Sequence, residues 1–248
     1  MVTADCELLE WDSTFFGRRI GRLLSSRLTE ELVTSTSHWC RANQVECLYF
    51  LADAADADTT RLAERNQFRL VDVRLTLDQK LQDRHKLKRC DQRIRLSRSE
   101  DVDLLCAIAR SSHRDSRFYF DPHFPEDRCD ALYSTWIEKS CGDPAVTVLV
   151  AEDAGRPTGY VSCHPRGEQT GVIGLFGIAD NARGRGLGTA LLAAALFWFV
   201  EQGVAEVSVV TQARNVAAQR LYQHVGFKTR LVQLWYHLWP DPLITEAA

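Results

Sequence analysis

The sequence lacks an excess of charge of either sign. Lys and Arg total 30 against 33 Asp and Glu, a formal net charge of −3 over 248 residues. A protein built to coat a nucleic acid carries a clear basic surplus, so that class is excluded, while a local basic pocket for one phosphorylated ligand is not. Long apolar runs are missing too. The longest, Ala190–Val200, falls short of the ~20 apolar residues that cross a bilayer. No basic segment followed by an apolar core stands behind Met1, so the expected compartment is the cytoplasm, with no membrane association. Eight cysteines are present, but none form a C-x-x-C pair. A zinc site of ordinary spacing is therefore not expected, no metal is assigned, and the thiols read as small buried hydrophobes. No repeat of fixed period runs through the chain.

What remains is an ordinary globular composition, 45% hydrophobic and 25% charged. In the first part, the apolar run Cys47–Leu51 reads as a buried strand, 60–67 as a helix, and 68–77 as an alternating strand. That makes this part α/β. The stretch 78–95 carries seven basic side chains, among them Lys86, Lys88 and Arg89. It fits a solvated linker or a phosphate-binding patch. Further on, the spacing predicts helices over 99–109 and 131–139 and a hairpin of 145–152 with 158–163, turning at Asp153-Ala-Gly-Arg-Pro157. A strand over 171–178, a helix over 189–201, a strand over 205–211, a helix over 215–224 and a strand over 227–239 follow.

The segment between the 171–178 strand and the 189–201 helix is the most informative. It reads Ile178-Ala-Asp-Asn-Ala-Arg183-Gly184-Arg185-Gly186-Leu187-Gly188-Thr189. Glycines let the backbone approach a ligand and turn successive N–H groups toward one point. The first turn of a helix has unpaired donors and the positive end of the helix dipole. With Arg183 and Arg185 beside them, these features make a cradle for a pyrophosphate; a plain Gly-rich turn has the same letters. The phosphate loop G-x-x-x-x-G-K-[ST] is absent, because no Gly-Lys pair occurs. The dinucleotide fingerprint G-x-G-x-x-G fits poorly, its third glycine coming one residue early.

Arg183-Gly-Arg-Gly186-Leu-Gly188 instead resembles the Gln/Arg-x-x-Gly-x-Gly/Ala motif of the GNAT N-acetyltransferases. Ile178 stands five positions before the arginine, as an apolar residue does there. Val207–Thr211, Asn215, Leu221-Tyr222 and Gly226-Phe227 follow in the family's order. Leu9–Gly17, Asp115–Phe124, Tyr133–Glu138 and Thr211–Trp239 also resemble the TDP-fucosamine acetyltransferase group, whose members acetylate a sugar amine on a nucleotide.

The resemblance implies a GNAT fold, a mixed and mostly antiparallel central sheet flanked by helices (α/β, or α+β). It implies a catalytic domain over 91–248, with 1–90 as a smaller, truncated GNAT-like α/β companion. The co-substrate is acetyl-CoA. Arg183, Gly184, Arg185, Gly186, Leu187, Gly188 and Thr189 would hold its pyrophosphate. A main-chain N–H around Ile178 would bind the acetyl carbonyl. Asn215 would cap its helix, touch the pantetheine arm, or both. Tyr222 would be the general acid that protonates the departing thiolate; a core aromatic is the plainer reading of the same residue. Arg117, Phe118 and Tyr119 are candidates for holding the acceptor, an amino sugar linked to a nucleotide. The general base is not identified: His113, Asp115, Asp121 and His123 lie near this segment without a pattern. Another primary amine as acceptor, and a non-catalytic acyl-CoA-binding domain, are the competing readings. The aromatic last strand is a candidate homodimer face.

Overall fold

The computed structural model describes residues 5–81 and 91–240. The chain packs as two compact units. One takes residues from 1–74, 120–124 and 232–248, the other from 75–119 and 125–231. The expected boundary at 90 falls in 82–90, outside the described residues, as do Cys90 and half of the charged stretch. The units are interleaved in sequence, because the end of the last strand pairs with a strand from the first fifty-odd residues. A strand's place in the chain does not dictate which sheet edge it completes.

The first unit holds β1 (Cys6–Leu8), α1 (Glu10–Phe16), β2 (Ile20–Leu23), α2 (Glu30–Ala42), β3 (Cys47–Asp53), α3 (Ala57–Arg65) and the end of β10 (Lys228–Leu238). Its strands lie in the order β1-β2-β3-β10; β2 and β3 run parallel and the other pairs antiparallel. β3 is buried on both faces, which is why it reads as an unbroken apolar run. Its Leu48, Phe50 and Ala52 are fully buried against Phe68 and Tyr236. Thr29 caps α2 by accepting from Leu32 N (3.2 Å), and Asp56 caps α3 by accepting from Asp58 N (3.2 Å). The segment 120–124 is fastened here by Asp121. Its carboxylate accepts from His237 Nδ1 (2.6 Å), Trp239 Nε1 (2.9 Å) and His123 Nδ1 (2.8 Å). These donors hold the Asp121 carboxyl well below the usual carboxylate range against the opposing cost of its burial.

The second unit holds the end of β4 (Arg69–Lys80), β5 (Ile94–Leu96), α4 (Val102–Ser112), α5 (Glu126–Gly142), β6 (Thr147–Asp153), β7 (Arg156–Arg166), β8 (Thr170–Ile178), α6 (Leu187–Glu201), β9 (Glu206–Gln212) and α7 (Val216–His224). Strands β5 to β8 form an antiparallel meander, and β9 joins β8 in parallel. Each unit thus has a mixed sheet flanked by helices, the class expected. Helix α6 is apolar nearly all round and buries Leu191, Leu192, Ala195, Leu196 and Phe199. It packs with Val161, Cys163, Ile173, Val207 and Val209 from the strands. Tyr160, Ser162 and His164 alternate with that set and so face away from α6, toward α4, which packs on β7.

The structure departs from the expected elements in several places. The helix expected over 99–109 opens as a 3-10 turn, Ser99–Asp101, before α4. Asp101 accepts from Arg98 N (2.8 Å) and from Arg95 (2.7 and 3.0 Å), and Arg95 also pairs with Glu152. This half-buried triad ties β5, β6 and the start of α4 together. Helices α1 and α2 were not expected. The seven described cysteines are free thiols. Among the described residues no helix is long and apolar enough to cross a membrane.

Candidate active site

The site is built where β8, α6 and α7 meet. β8 and β9 pair in register only from Thr170↔Glu206 to Ile173↔Val209. β8 runs on to Ile178 and β9 to Gln212, so beyond Ile173 the two strands part. The parting coincides with a bulge. Val161 faces Phe176 and Cys163 faces Ile173, so Gly174 and Leu175 together oppose Ser162. Ser162 Oγ accepts the Leu175 N–H at 2.7 Å and lies 3.0 Å from His164 Nε2. Past the bulge, Ala179 N donates to Thr158 O (2.8 Å). Alternate residues of an antiparallel strand direct their N–H groups to opposite sides. The Ile178 N–H therefore points away from β7, into the gap between β8 and β9.

The turn that follows uses its glycines for two different reasons. Gly184 and Gly186 have φ of +76° and +75°, the left-handed region that L side chains avoid, and a Cβ on either would meet nothing within 4 Å. Gly188 has no such φ, but a Cβ there would lie 3.1 Å from Leu221 Cδ2 and 3.5 Å from Phe176 Cζ. It lets α7 and β8 close on the first turn of α6. Gly186 is the N-cap of α6 and offers no side-chain cap. The first helical donor with a carbonyl partner is Ala190, bonded to Gly186 O at 3.1 Å. The N–H groups ahead of it, on Leu187, Gly188 and Thr189, open toward the glycine turn. Arg183 pairs with Asp180 (2.9 Å) and Arg185 with Asp153 (2.7 Å), all four side chains being about half exposed or more. Such exposed pairs contribute roughly 1 kcal/mol at most, so an incoming diphosphate can displace the carboxylates. The open cradle, the uncapped helix end and the two guanidinium groups suit a coenzyme A pyrophosphate.

Asn215 caps α7, its Oδ1 accepting from Ala218 N (3.0 Å). Tyr222, on α7, is 4% exposed. Its ring sits between Phe176 (6.3 Å) and Phe227 (5.8 Å), both edge-on. Burial pushes its phenol pKa up, so it is protonated at neutral pH. The packing that makes Tyr222 a core aromatic also sets it beside Phe176, past the bulge of β8.

The candidate acceptor segment is divided. Arg117, Phe118 and Tyr119 lie in a 3-10 helix after α4. Phe118 is 1% exposed under the Arg117 guanidinium, 4.2 Å from its ring centroid, so it packs and does not offer a face to a ligand. Tyr119 donates to Asp130 Oδ1 (2.6 Å), with Arg114 over its ring. Of the four residues among which a base was sought, Asp121 and His123 belong to the clip on β10. His113 goes elsewhere: its Nε2 lies 3.0 Å from Tyr160 Oη, and its ring stacks on Tyr133 at 4.4 Å. Burial pushes its pKa down to about 4, so it is neutral at pH 7. The sequence reading missed Tyr160 and Ser162. Their one signal is a hydroxyl at an inward position of a strand, a group that requires a partner. Among the described residues no cluster of three or more His, Cys, Asp or Glu side chains could hold a metal ion.

Residues 109–227 match the model of the Acetyltransferase (GNAT) family. The chain is 26% identical over 245 residues to the dTDP-fucosamine acetyltransferase of Escherichia coli O6:H1, covering 95% of this chain and 99% of that one. It is 29% identical over 140 residues to the spore coat polysaccharide biosynthesis protein SpsD of Bacillus subtilis, over 56% of this chain. The chain spans about half the length of that relative (48%). Among solved structures, a GCN5-related N-acetyltransferase from Sphaerobacter thermophilus superposes with a TM-score of 0.67 at 18% identity, over 94% of this chain and 75% of that one.

Proposed function

We propose that the chain, whose residues 109–227 match the Acetyltransferase (GNAT) family model, moves the acetyl group of acetyl-CoA to the amine of a nucleotide-linked amino sugar. The observation that carries the donor half is the parting of β8 from β9 beside an uncapped, glycine-lined helix N-terminus. The acceptor half rests on the likeness, over nearly the whole chain, to the dTDP-fucosamine acetyltransferase. With both substrates phosphorylated, the reaction belongs in the cytoplasm.

Each residue then has one task. The main-chain donors of Gly184 to Thr189, with Arg183 and Arg185, hold the pyrophosphate. Asn215, whose Oδ1 is committed to the cap, has its amide N–H groups for the pantetheine arm. The Ile178 N–H, directed into the gap, polarises the acetyl carbonyl; a preorganised donor to a developing oxyanion is worth roughly 2.7–4 kcal/mol. The amine attacks the carbonyl carbon and the C–N bond forms, the C–S bond breaks, Tyr222 gives its proton to the departing thiolate, and the proton lost by the amine passes through water to restore the Tyr222 phenol. Arg117 serves the nucleotide phosphate.

The test is an acceptor screen with a free-thiol readout. Thiol release with a nucleotide-linked amino sugar, and not with a peptide N-terminus, a polyamine or an aminoglycoside, is expected. Release with one of those amines alone would overturn the acceptor assignment and keep the donor.

A further inference from the structure

Two polar groups at the end of α4 have capacity that the mechanism above does not use. His113 is partly exposed, and its Nε2 is taken by Tyr160. Tyr160 is fully buried, and its phenol is protonated because burial pushes its pKa up. A buried phenol with one partner donates to it, which places the imidazole proton on Nδ1. Among the described residues, that Nδ1–H has no acceptor. One turn on, Ser116 is 4% exposed, its N–H bonds to His113 O (3.2 Å), and its Oγ is buried with no hydrogen-bond partner among the described residues. A buried hydroxyl left without a partner is costly, so an incoming group that bonds to it is favoured.

Tyr160, the partner of His113, also borders the end of β8. The Tyr160 ring and Oη come within 2.9–3.1 Å of where a Cβ on Gly177 would sit. Gly177 precedes Ile178, whose N–H faces the gap. The titratable groups acting on Tyr160 are Cys106 of α4 and Tyr133 and Cys141 of α5, and Arg114, Asp115 and Arg117 flank Ser116 in the chain. A neutral donor and a neutral hydroxyl select a neutral polar group, not an ammonium or a phosphate.

We propose that His113 Nδ1–H and Ser116 Oγ form a subsite for a ring hydroxyl of the acceptor beside its amine, with Tyr160 fixing the His113 tautomer. This rests on the amino-sugar reading and explains how a sugar would be preferred over a plain alkylamine. The site is a binding one; no proton passes through His113 in the reaction.

The experiment compares kcat/KM for two nucleotide-linked amino sugars, one with a hydroxyl on the carbon next to the amine and its deoxy analogue. The enzymes are wild type, His113→Phe, His113→Gln, Ser116→Ala and Tyr160→Phe, each first shown to bind acetyl-CoA as wild type does. Wild type should favour the hydroxylated sugar at least tenfold. His113→Phe should abolish that preference, and His113→Gln, which retains a donor, should restore part of it. Ser116→Ala and Tyr160→Phe should reduce the preference several-fold. An equal loss on both sugars, or none on either, would overturn the subsite while acetyl transfer to the sugar stands. Wild type acetylating neither sugar would overturn the amino-sugar reading, and the subsite with it.

Discussion

Replacing Gly186 with alanine isolates the backbone requirement of the cradle. Gly186 has φ +75° and ψ 0°, with open space where a Cβ would go. The whole cost is therefore conformational, roughly 1–2 kcal/mol for an L-residue held in the left-handed region. For a chain of this size 1 kcal/mol moves Tm by roughly 2–4 °C, so Gly186→Ala should melt about 2–8 °C below wild type. Gly186→Asn should recover part of the loss, because asparagine tolerates this region. Gly188→Ala is the matched control. Its φ is ordinary, and its Cβ would press on Leu221 Cδ2 at 3.1 Å, the movable end of a side chain. Alanine gains roughly 0.5–1 kcal/mol over glycine within a helix, which offsets that contact and leaves Tm nearly unchanged. Differential scanning calorimetry measures both. The reasoning fails if Gly186→Ala melts with wild type, or if Gly188→Ala loses as much as Gly186→Ala does.

Four other outcomes follow from the geometry. Tyr222→Phe should keep acetyl-CoA affinity by calorimetry while kcat falls by at least tenfold; unchanged turnover would remove Tyr222 from proton transfer. Asn215→Ala should lose the Ala218 cap, about 1 kcal/mol by urea unfolding, whereas Asn215→Asp keeps it. Arg117→Ala should raise the acceptor KM and leave acetyl-CoA affinity intact, and a loss of that affinity would contradict its placement. Acid should destabilise the protein through His113. Its pKa is about 4 in the fold against ~6.5 in the unfolded chain, so below pH 6.5 the unfolded state binds the proton first. Up to about 3 kcal/mol is lost as pH falls from 6.5 to 4. The pH dependence of urea midpoints in that window should flatten in His113→Phe.

The sequence was readable where one element carries its own signal. The run Cys47–Leu51 and the alternation in 68–77 gave β3 and β4, and the Arg-x-x-Gly-x-Gly segment gave the turn into α6. Asn215 was legible as a cap because the helix start is a local pattern. Helix α1 was not, because seven residues with three aromatics and no side-chain cap do not declare a helix. The fate of the 113–123 segment was hidden for a different reason. Whether His113 meets Tyr160, and Asp121 meets His237, depends on partners 47 and 116 residues away. Phe118 shows the same limit: its sequence position offers a ring to a base or sugar, and only its burial shows that it packs inside. Of the glycines, spacing alone gave the set, and only φ and neighbouring atoms separated the conformational need at 184 and 186 from the close approach at 188.

The most direct test of the account is to incubate the protein with acetyl-CoA and a nucleotide-linked amino sugar, and follow both products at once. Mass spectrometry reads the acceptor and a thiol reagent reads free coenzyme A. The account predicts one acetyl gained on the amine for each thiol released, with both signals at least tenfold slower in Tyr222→Phe. An unaltered sugar with no thiol released beyond spontaneous hydrolysis would contradict it.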